Sequence, residues 1–292
     1  MNIYSPIQEI RFKNYQNISV KRDDLIDPYI SGNKWRKLKY VLEDASNQQK
    51  KHLVTFGGAY SNHLLATAAA AARFGFKSTG FVRGEQVENE TLLLCKLFGM
   101  HLIFVSRESY QNKEALFTLH FKNDQNAYFI DEGGASLLAT KGCAEIIAEL
   151  PQTYTHLFCA AGTGTTAAGL LKGIQQYQPN TQLHVIPVLK GGDFIKDEIA
   201  KYHEDLTGLH LHTDYHFGGY AKTNTLLLEF MRNFIQETGL LLDPVYTAKM
   251  MYAIYDLQQH NYFKENDQIL ALHTGGLNGI WGMKEKISQI TL

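Results

Sequence analysis

The stretch Cys159-Ala160-Ala161-Gly162-Thr163-Gly164-Thr165-Thr166-Ala167-Ala168-Gly169-Leu170 closes an apolar run, Thr155-His156-Leu157-Phe158-Cys159, and leads into helical sequence. A short apolar run, a glycine-rich turn and a helix together read as one βα unit. Glycines let backbone N–H groups approach an anion, threonine hydroxyls add donors, and a helix N-terminus contributes favourable potential. The turn has the form of a phosphate cradle; the competing reading is a tight βα turn with no ligand. It also fits G-x-G-x-x-A, the dinucleotide fingerprint, which asks for an acidic residue ending the next strand. That strand, Val185 to Val188, ends in Leu189-Lys190, and the Gly-Lys-Ser/Thr of a nucleotide hydrolase does not occur.

Working outward, apolar runs alternate with helical segments. Strands are predicted at 52–56, 78–82, 101–105, 128–130, 155–159, 184–188 and 268–272, with helices at about 61–74, 90–99, 142–150 and 166–177. Such alternation implies an α/β protein with parallel sheet covered on both faces. In these sheets ligands sit at the C-terminal ends of strands, where the strand order switches. A second glycine turn lies at such an end: Gly57-Gly58-Ala59-Tyr60-Ser61-Asn62-His63, where Ser61 or Asn62 can also be a plain N-cap. Ser61, two residues before His63, hints at a hydrolase, but G-x-S-x-G is absent.

The stretch Ile30-Ser31-Gly32-Asn33-Lys34-Trp35-Arg36-Lys37-Leu38 opens another helix, with Asn33 as the expected N-cap and Lys34 in the first turn. An ammonium there meets positive helix potential. If it is also desolvated, its pKa falls and it becomes a nucleophile able to form a Schiff base with a carbonyl. A solvated surface lysine, with Arg36, Lys37 and Lys39 as solvated neighbours, is the alternative.

The 292 residues suit one large or two medium domains, and 28 basic against 29 acidic residues call for neither nucleic acid nor membrane. Cys95, Cys143 and Cys159 form neither a zinc signature nor a disulfide framework, and no signal peptide is visible, so a cytoplasmic protein is expected. His210 and His212 alternate on a strand without a third ligand, and no metal site is expected.

Ser31 to Lys34, Gly57 to His63 and Gly162 to Thr166, taken together, resemble the fold-type II pyridoxal 5'-phosphate (PLP) enzymes. Lys21-Arg22-Asp23-Asp24-Leu25, Asp243-Pro244-Val245-Tyr246-Thr247 and His273-Thr274-Gly275-Gly276-Leu277 narrow the resemblance to the branch of 1-aminocyclopropane-1-carboxylate (ACC) deaminase and D-cysteine desulfhydrase. It runs through essentially the whole chain. It implies a tryptophan synthase β-like fold of two open, twisted, mostly parallel α/β domains: a larger PLP-binding one from residues 1–39 and 146–292, and a smaller inserted one at 40–145.

The resemblance implies Lys34 as Schiff-base lysine and proton shuttle, and Asn62 against the PLP phenolic oxygen. Gly162, Thr163, Gly164, Thr165 and Thr166 would bind the phosphate. Ser61, Asn62 and His63 would meet the substrate, with Ser61 also a proton relay, and Tyr246 and Tyr220 would flank it. Plain core packing is the alternative for Tyr220. ACC deaminases carry Glu and Leu where this chain has Thr247 and Thr274, and usually Gln where it has His63. A threonine hydroxyl can hydrogen-bond the pyridine nitrogen but supplies no counter-charge.

The branch pattern therefore implies β-elimination from D-cysteine, giving pyruvate, sulfide and ammonia. Alternatives are ACC deamination or elimination on another small amino acid. A different class altogether is a PLP carrier or nucleotide-binding module with little catalysis. Family members commonly dimerise, so a homodimer is expected.

Overall fold

Leu157, Cys159 and Ala161 alternate with Phe158 and Ala160, and both sets are buried, which requires a strand covered on both faces. The computed structural model describes residues 1, 3–13 and 15–291 and shows β7 covered in this way. Its strands are β1 (Ile7–Phe12), β2 (Tyr15–Lys21), β3 (His52–Gly58), β4 (Lys77–Arg83), β5 (Met100–Val105), β6 (Ala127–Phe129), β7 (His156–Ala161), β8 (Gln182–Pro187), β9 (Leu209–Leu211) and β10 (Ile269–Leu272). The helices are α1 (Asn33–Asn47), α2 (Asn62–Phe74), α3 (Glu90–Leu97), α4 (Lys113–Phe121), α5 (Leu137–Ala148), α6 (Thr165–Tyr177), α7 (Phe194–Ala200), α8 (Thr225–Thr238), α9 (Thr247–Gln259) and α10 (Lys284–Thr291).

Two sheets result. One runs β1-β2-β10-β7-β8-β9 and the other β5-β4-β3-β6. Every pairing is parallel except the β1–β2 pair, which the alternation did not reveal. In the larger sheet Phe158, Ile186 and Ala271 pack toward Leu227, Phe234, Met250 and Ile254 of α8 and α9. Leu157, Val185 and Leu270 pack on the other face toward Ile146, Leu170 and Ile174 of α5 and α6. A β-carbon on Gly169 would stand 2.5 Å from the Thr140 carbonyl oxygen, so this glycine lets α6 lie directly against α5.

Both orders reverse at one strand. The chain moves from β3 through β4 to β5 and then returns to the other side of β3. It moves from β7 through β8 to β9 and returns beside β7. The glycine turns after β3 and β7 thus stand at the switch points, where parallel sheets open a crevice.

The first helix is anchored from beneath. Arg36 is fully buried and donates to Asp23 from Nε at 3.1 Å and from Nη2 at 2.9 Å. It also donates to both Glu149 carboxylate oxygens, at 2.5 and 2.8 Å. Lys21 stands 3.3 Å from the same Glu149. A buried ion cluster of this kind is costly to break from one side, at roughly 3–5 kcal/mol. Arg36 and Lys37 are buried, not the solvated neighbours of Lys34 that the sequence allowed. Both hold α1 in place.

Candidate active site

Four strand ends converge on the crevice, those of β3, β6, β7 and β10, and α1 enters it from the side. Asn33 is the first residue of α1 and not its cap; Gly32 caps it, with φ of 63°. A β-carbon on Gly32 would fall 1.8 Å from the Thr274 carbonyl oxygen, so only glycine lets this turn sit against the end of β10. Freed from capping, the Asn33 side-chain amide donates to the Thr166 hydroxyl at 3.0 Å. The helix carrying Lys34 is thereby tied to the glycine-rich turn after β7.

Lys34 keeps a partly open surface but its amine is surrounded by protein at longer range, as in a group lining an internal cleft. Burial, with a further push from Lys37, lowers this amine to about 7. Lys37 lies one turn on, buried, and donates to the Gly133 carbonyl at 3.0 Å. Its pKa is also lowered by burial. Among the described residues neither lysine has a carboxylate partner. Lys37 was missed as a site residue; its signal was its place three residues after Lys34, on the same helix face.

His63 is buried and its ring state follows from its partners. Thr55 Oγ1 donates to the Ile130 carbonyl at 3.0 Å, so it accepts from His63 Nε2 at 2.8 Å. Nδ1 is then a lone-pair acceptor with no partner among the described residues, close to Gly134. Burial, then Lys34 and Lys37, push this ring well below its ordinary pKa, so it is neutral. A neutral acceptor suits a hydrogen-bond donor; the expected contact with a substrate carboxylate needs the ring protonated or flipped. Ser61 caps α2, accepting from the Leu64 amide at 3.3 Å, which leaves its own proton free to donate. Asn62 reaches across to the Gly276 carbonyl at 3.4 Å.

The turn after β7 places Gly164 in the left-handed region ahead of α6, with the Thr163 and Thr165 hydroxyls 3.3 Å apart. The first amides of α6 lack intrahelical acceptors. A β-carbon on Gly133 would meet Thr163 at 3.2 Å, so the loop that receives Lys37 abuts this turn. A β-carbon on Gly162 would lie 3.2 Å from the Tyr246 hydroxyl, which puts Tyr246 on the same side of the cleft. Tyr220 is half-exposed rather than packed in the core and meets the Tyr246 ring edge-on, with centroids 6.1 Å apart.

Thr247 is less free than its expected role asks. Its hydroxyl accepts from the Asp243 amide at 2.7 Å and donates to the Asp243 carbonyl at 3.3 Å, a weak bond that must yield before it serves a ligand. The Thr274 hydroxyl has no partner among the described residues. The neighbouring Asp243 carboxyl accepts from the Val245 and Tyr246 amides at 2.8 and 2.9 Å, and burial lifts it to about 7.

Two lysine amines without a carboxylate among the described residues, beside a glycine and threonine turn at a helix N-terminus, form a site short of negative charge. A phosphate fits that deficit, and the lowered amine of Lys34 fits an aldehyde. The residues present therefore suit a phosphorylated aldehyde such as PLP.

Comparison with known proteins agrees: the chain belongs to the family of pyridoxal-phosphate dependent enzymes, matched over residues 4–275. A Thermotoga maritima protein, provisionally named 1-aminocyclopropane-1-carboxylate deaminase, is 32% identical, with 93% of this chain and 92% of that protein covered. An Arabidopsis thaliana protein named bifunctional D-cysteine desulfhydrase/1-aminocyclopropane-1-carboxylate deaminase is 28% identical, covering 95% of this chain and 76% of its own. A solved structure described as an ACC deaminase homologue superposes with a TM-score of 0.84 at 28% identity, over 98% of this chain and 93% of the other. The protein is thus a PLP-dependent enzyme, a lyase or deaminase. Among the described residues no helix is long and apolar enough to cross a membrane, and no group of three acidic, histidine or cysteine side chains is placed to hold a metal.

Proposed function

We propose that this enzyme carries out β-elimination on a small D-amino acid, D-cysteine foremost, converting it with water to pyruvate, ammonia and hydrogen sulfide. The observation that carries the proposal is the Lys34 amine, set in the crevice without a carboxylate partner and lowered to about 7. Lys34 would hold the cofactor aldehyde. Gly162, Thr163, Gly164, Thr165 and Thr166 would hold its phosphate, with Lys37 neutralising the charge, and Asn62 would face its phenolic oxygen. When bound, PLP withdraws electrons from the substrate Cα, so that the Cα proton becomes removable and a group on Cβ can leave.

Lys34 would take the substrate Cα proton. An amine of pKa near 7 is about half unprotonated at neutral pH, whereas an ordinary lysine is almost wholly charged. Ser61, with a free hydroxyl proton at the mouth of α2, would donate to the substrate carboxylate and relay protons. His63 Nδ1 would accept a hydrogen bond from a substrate donor. Tyr246 and Tyr220 would bracket the substrate from the opposite wall.

Thr247 and Thr274 bring neutral hydroxyls where the ACC deaminase pattern has a glutamate and a leucine. Asp243 does not replace that glutamate, because its oxygens serve the Val245 and Tyr246 amides. A site without this counter-charge suits a leaving group that departs readily, as a thiolate does. The crevice would lie between the two proposed domains, 40–145 and the remainder.

ACC ring opening is the second reading, favoured by the naming of the Thermotoga relative and of the solved homologue. The deciding experiment gives the PLP-loaded enzyme D-cysteine, L-cysteine and ACC in parallel. Pyruvate and sulfide from D-cysteine support elimination; 2-oxobutyrate from ACC with no pyruvate from D-cysteine would overturn it.

A further inference from the structure

Lys249, the third residue of α9, has no exposed surface, yet it carries an amine. Its Nζ donates to the carbonyl oxygens of His216 and Gly219, each at 2.8 Å, and of Val188 at 3.3 Å. Among the described residues no carboxylate touches it; Asp243 acts on it only at longer range. The first turn of a helix is a poor place for a cation, and burial adds to the penalty. A methionine would fill the volume without that cost. The ammonium is therefore there for the carbonyls: three oxygens from two separate segments, Val188 after β8 and the turn from His216 to Gly219, converge on it, as they do around a bound monovalent cation.

The converging backbone is unusual in its own right. Phe217, Gly218, Gly219 and Ala221 all have positive φ, at 50°, 93°, 115° and 52°. Two of these are not glycine, and such strain persists only where surrounding contacts over-determine the chain. The turn directs the Gly219 carbonyl inward to the ammonium, and Tyr220, the next residue, lies edge-on to the Tyr246 ring. Tyr246 directly precedes α9, three residues before Lys249. One side chain thus ties the Tyr220 loop to the Tyr246 turn.

We propose that the Lys249 ammonium is a built-in monovalent cation that shapes the 216–221 loop and positions Tyr220 beside Tyr246, a role that rests on those tyrosines flanking the substrate. Lys249 does not touch the reacting atoms on this proposal; it is a positioning residue. Its replacement by a smaller side chain leaves a carbonyl-lined space fit for potassium or ammonium, and so turns a cation-indifferent enzyme into a cation-dependent one.

The test compares wild type and Lys249→Ala, both PLP-loaded, in choline, lithium, potassium and ammonium chlorides at one ionic strength. Wild type should give the same melting temperature and kinetics in potassium as in choline. Lys249→Ala should lose about 10- to 100-fold in kcat/KM in choline, the scale expected of a displaced positioning group. Potassium or ammonium should restore most of the loss, largely through KM, and raise the melting temperature, while lithium should not. A variant recovered only in potassium or ammonium buffer is the same result in stronger form. A variant that is cation-blind, wild-type in choline or recovered in no buffer overturns the proposal. Tyr220→Ala run alongside separates the two layers. If it leaves kcat and KM unchanged while Lys249→Ala still melts higher in potassium, the substrate-wall assignment fails and the built-in cation stands.

Discussion

Asn33 donates its side-chain amide to the Thr166 hydroxyl at 3.0 Å, and this bond joins the helix of Lys34 to the turn that would bind phosphate. It sets the distance between the two ends of the proposed cofactor site. Asn33→Ala removes one neutral hydrogen bond, worth about 1 kcal/mol, so the fold should survive. Misplacing Lys34 against the turn should lower kcat/KM by about tenfold or more. Steady-state kinetics alongside a melting curve checks both, and an unchanged kcat/KM would show that the link is incidental.

With Lys34 as the proposed cofactor lysine, its lowered amine should make cofactor capture pH-dependent in a predictable direction. Only the neutral amine attacks an aldehyde, and the group is pushed down to about 7 from 10.5. The rate at which cofactor-free enzyme takes up PLP should therefore rise between about pH 6 and 8 and level off above. Stopped-flow absorbance over that range tests it. A rate still climbing steeply between pH 9 and 10.5 would mean that the capturing amine is an ordinary one.

On the proposed reading, Thr247 and Thr274 carry the choice of reaction. The double change Thr247→Glu with Thr274→Leu should raise ACC turnover relative to D-cysteine turnover. It should also destabilise the protein by about 1–2 kcal/mol, because the Asp243 amide loses its acceptor on Thr247. Product assays on both substrates decide the matter; an unchanged ratio would show that neither threonine governs specificity.

Away from the site, Asp267, His156, His184 and His212 form a chain of ring and carboxylate contacts at 3.0, 2.9 and 2.9 Å across β7 and β8 and past β9. Burial, followed by its histidine neighbours, holds His184 down to about 2, and burial with His210 holds His212 down to about 4. Both rings stay neutral in the folded state while the unfolded chain takes up protons below about 6.5. Stability is thus fully present above pH 6.5 and falls as the pH drops toward 4, where His212 charges, and on toward 2. Replacing His184 with Phe should reduce the slope of stability against pH by about one proton between pH 6 and 4. Urea melts across that interval measure it, and an unchanged slope would remove His184 from the acid response.

The elements that place the crevice were legible because their signals are local. Cys159 to Leu170 and Phe56 to Leu65 each show an apolar run, a glycine turn and a helix within a dozen residues, and both stand at switch points in the structure. Lys34 was legible through its helix turn and its resemblance to a known pattern. What escaped depends on partners distant in sequence. Arg36 and Lys37 look like surface charges until Asp23, Glu149 and Gly133 are seen around them. Asn33 reads as a helix cap until Thr166 takes its amide. Glu9 and Arg11 interrupt the apolar pattern of β1, which hides an edge strand whose faces differ in exposure. Lys249 could not be read at all, since backbone carbonyls leave no trace in side-chain identity.

Where the cofactor is attached decides whether Lys34 is its lysine. Reduction of the PLP-loaded enzyme with borohydride, proteolysis and mass spectrometry would locate the fixed pyridoxyl group. It should lie on the peptide carrying Lys34, on Lys34 itself. The same group on Lys37, buried one turn further along α1, or on Lys249 would contradict that assignment.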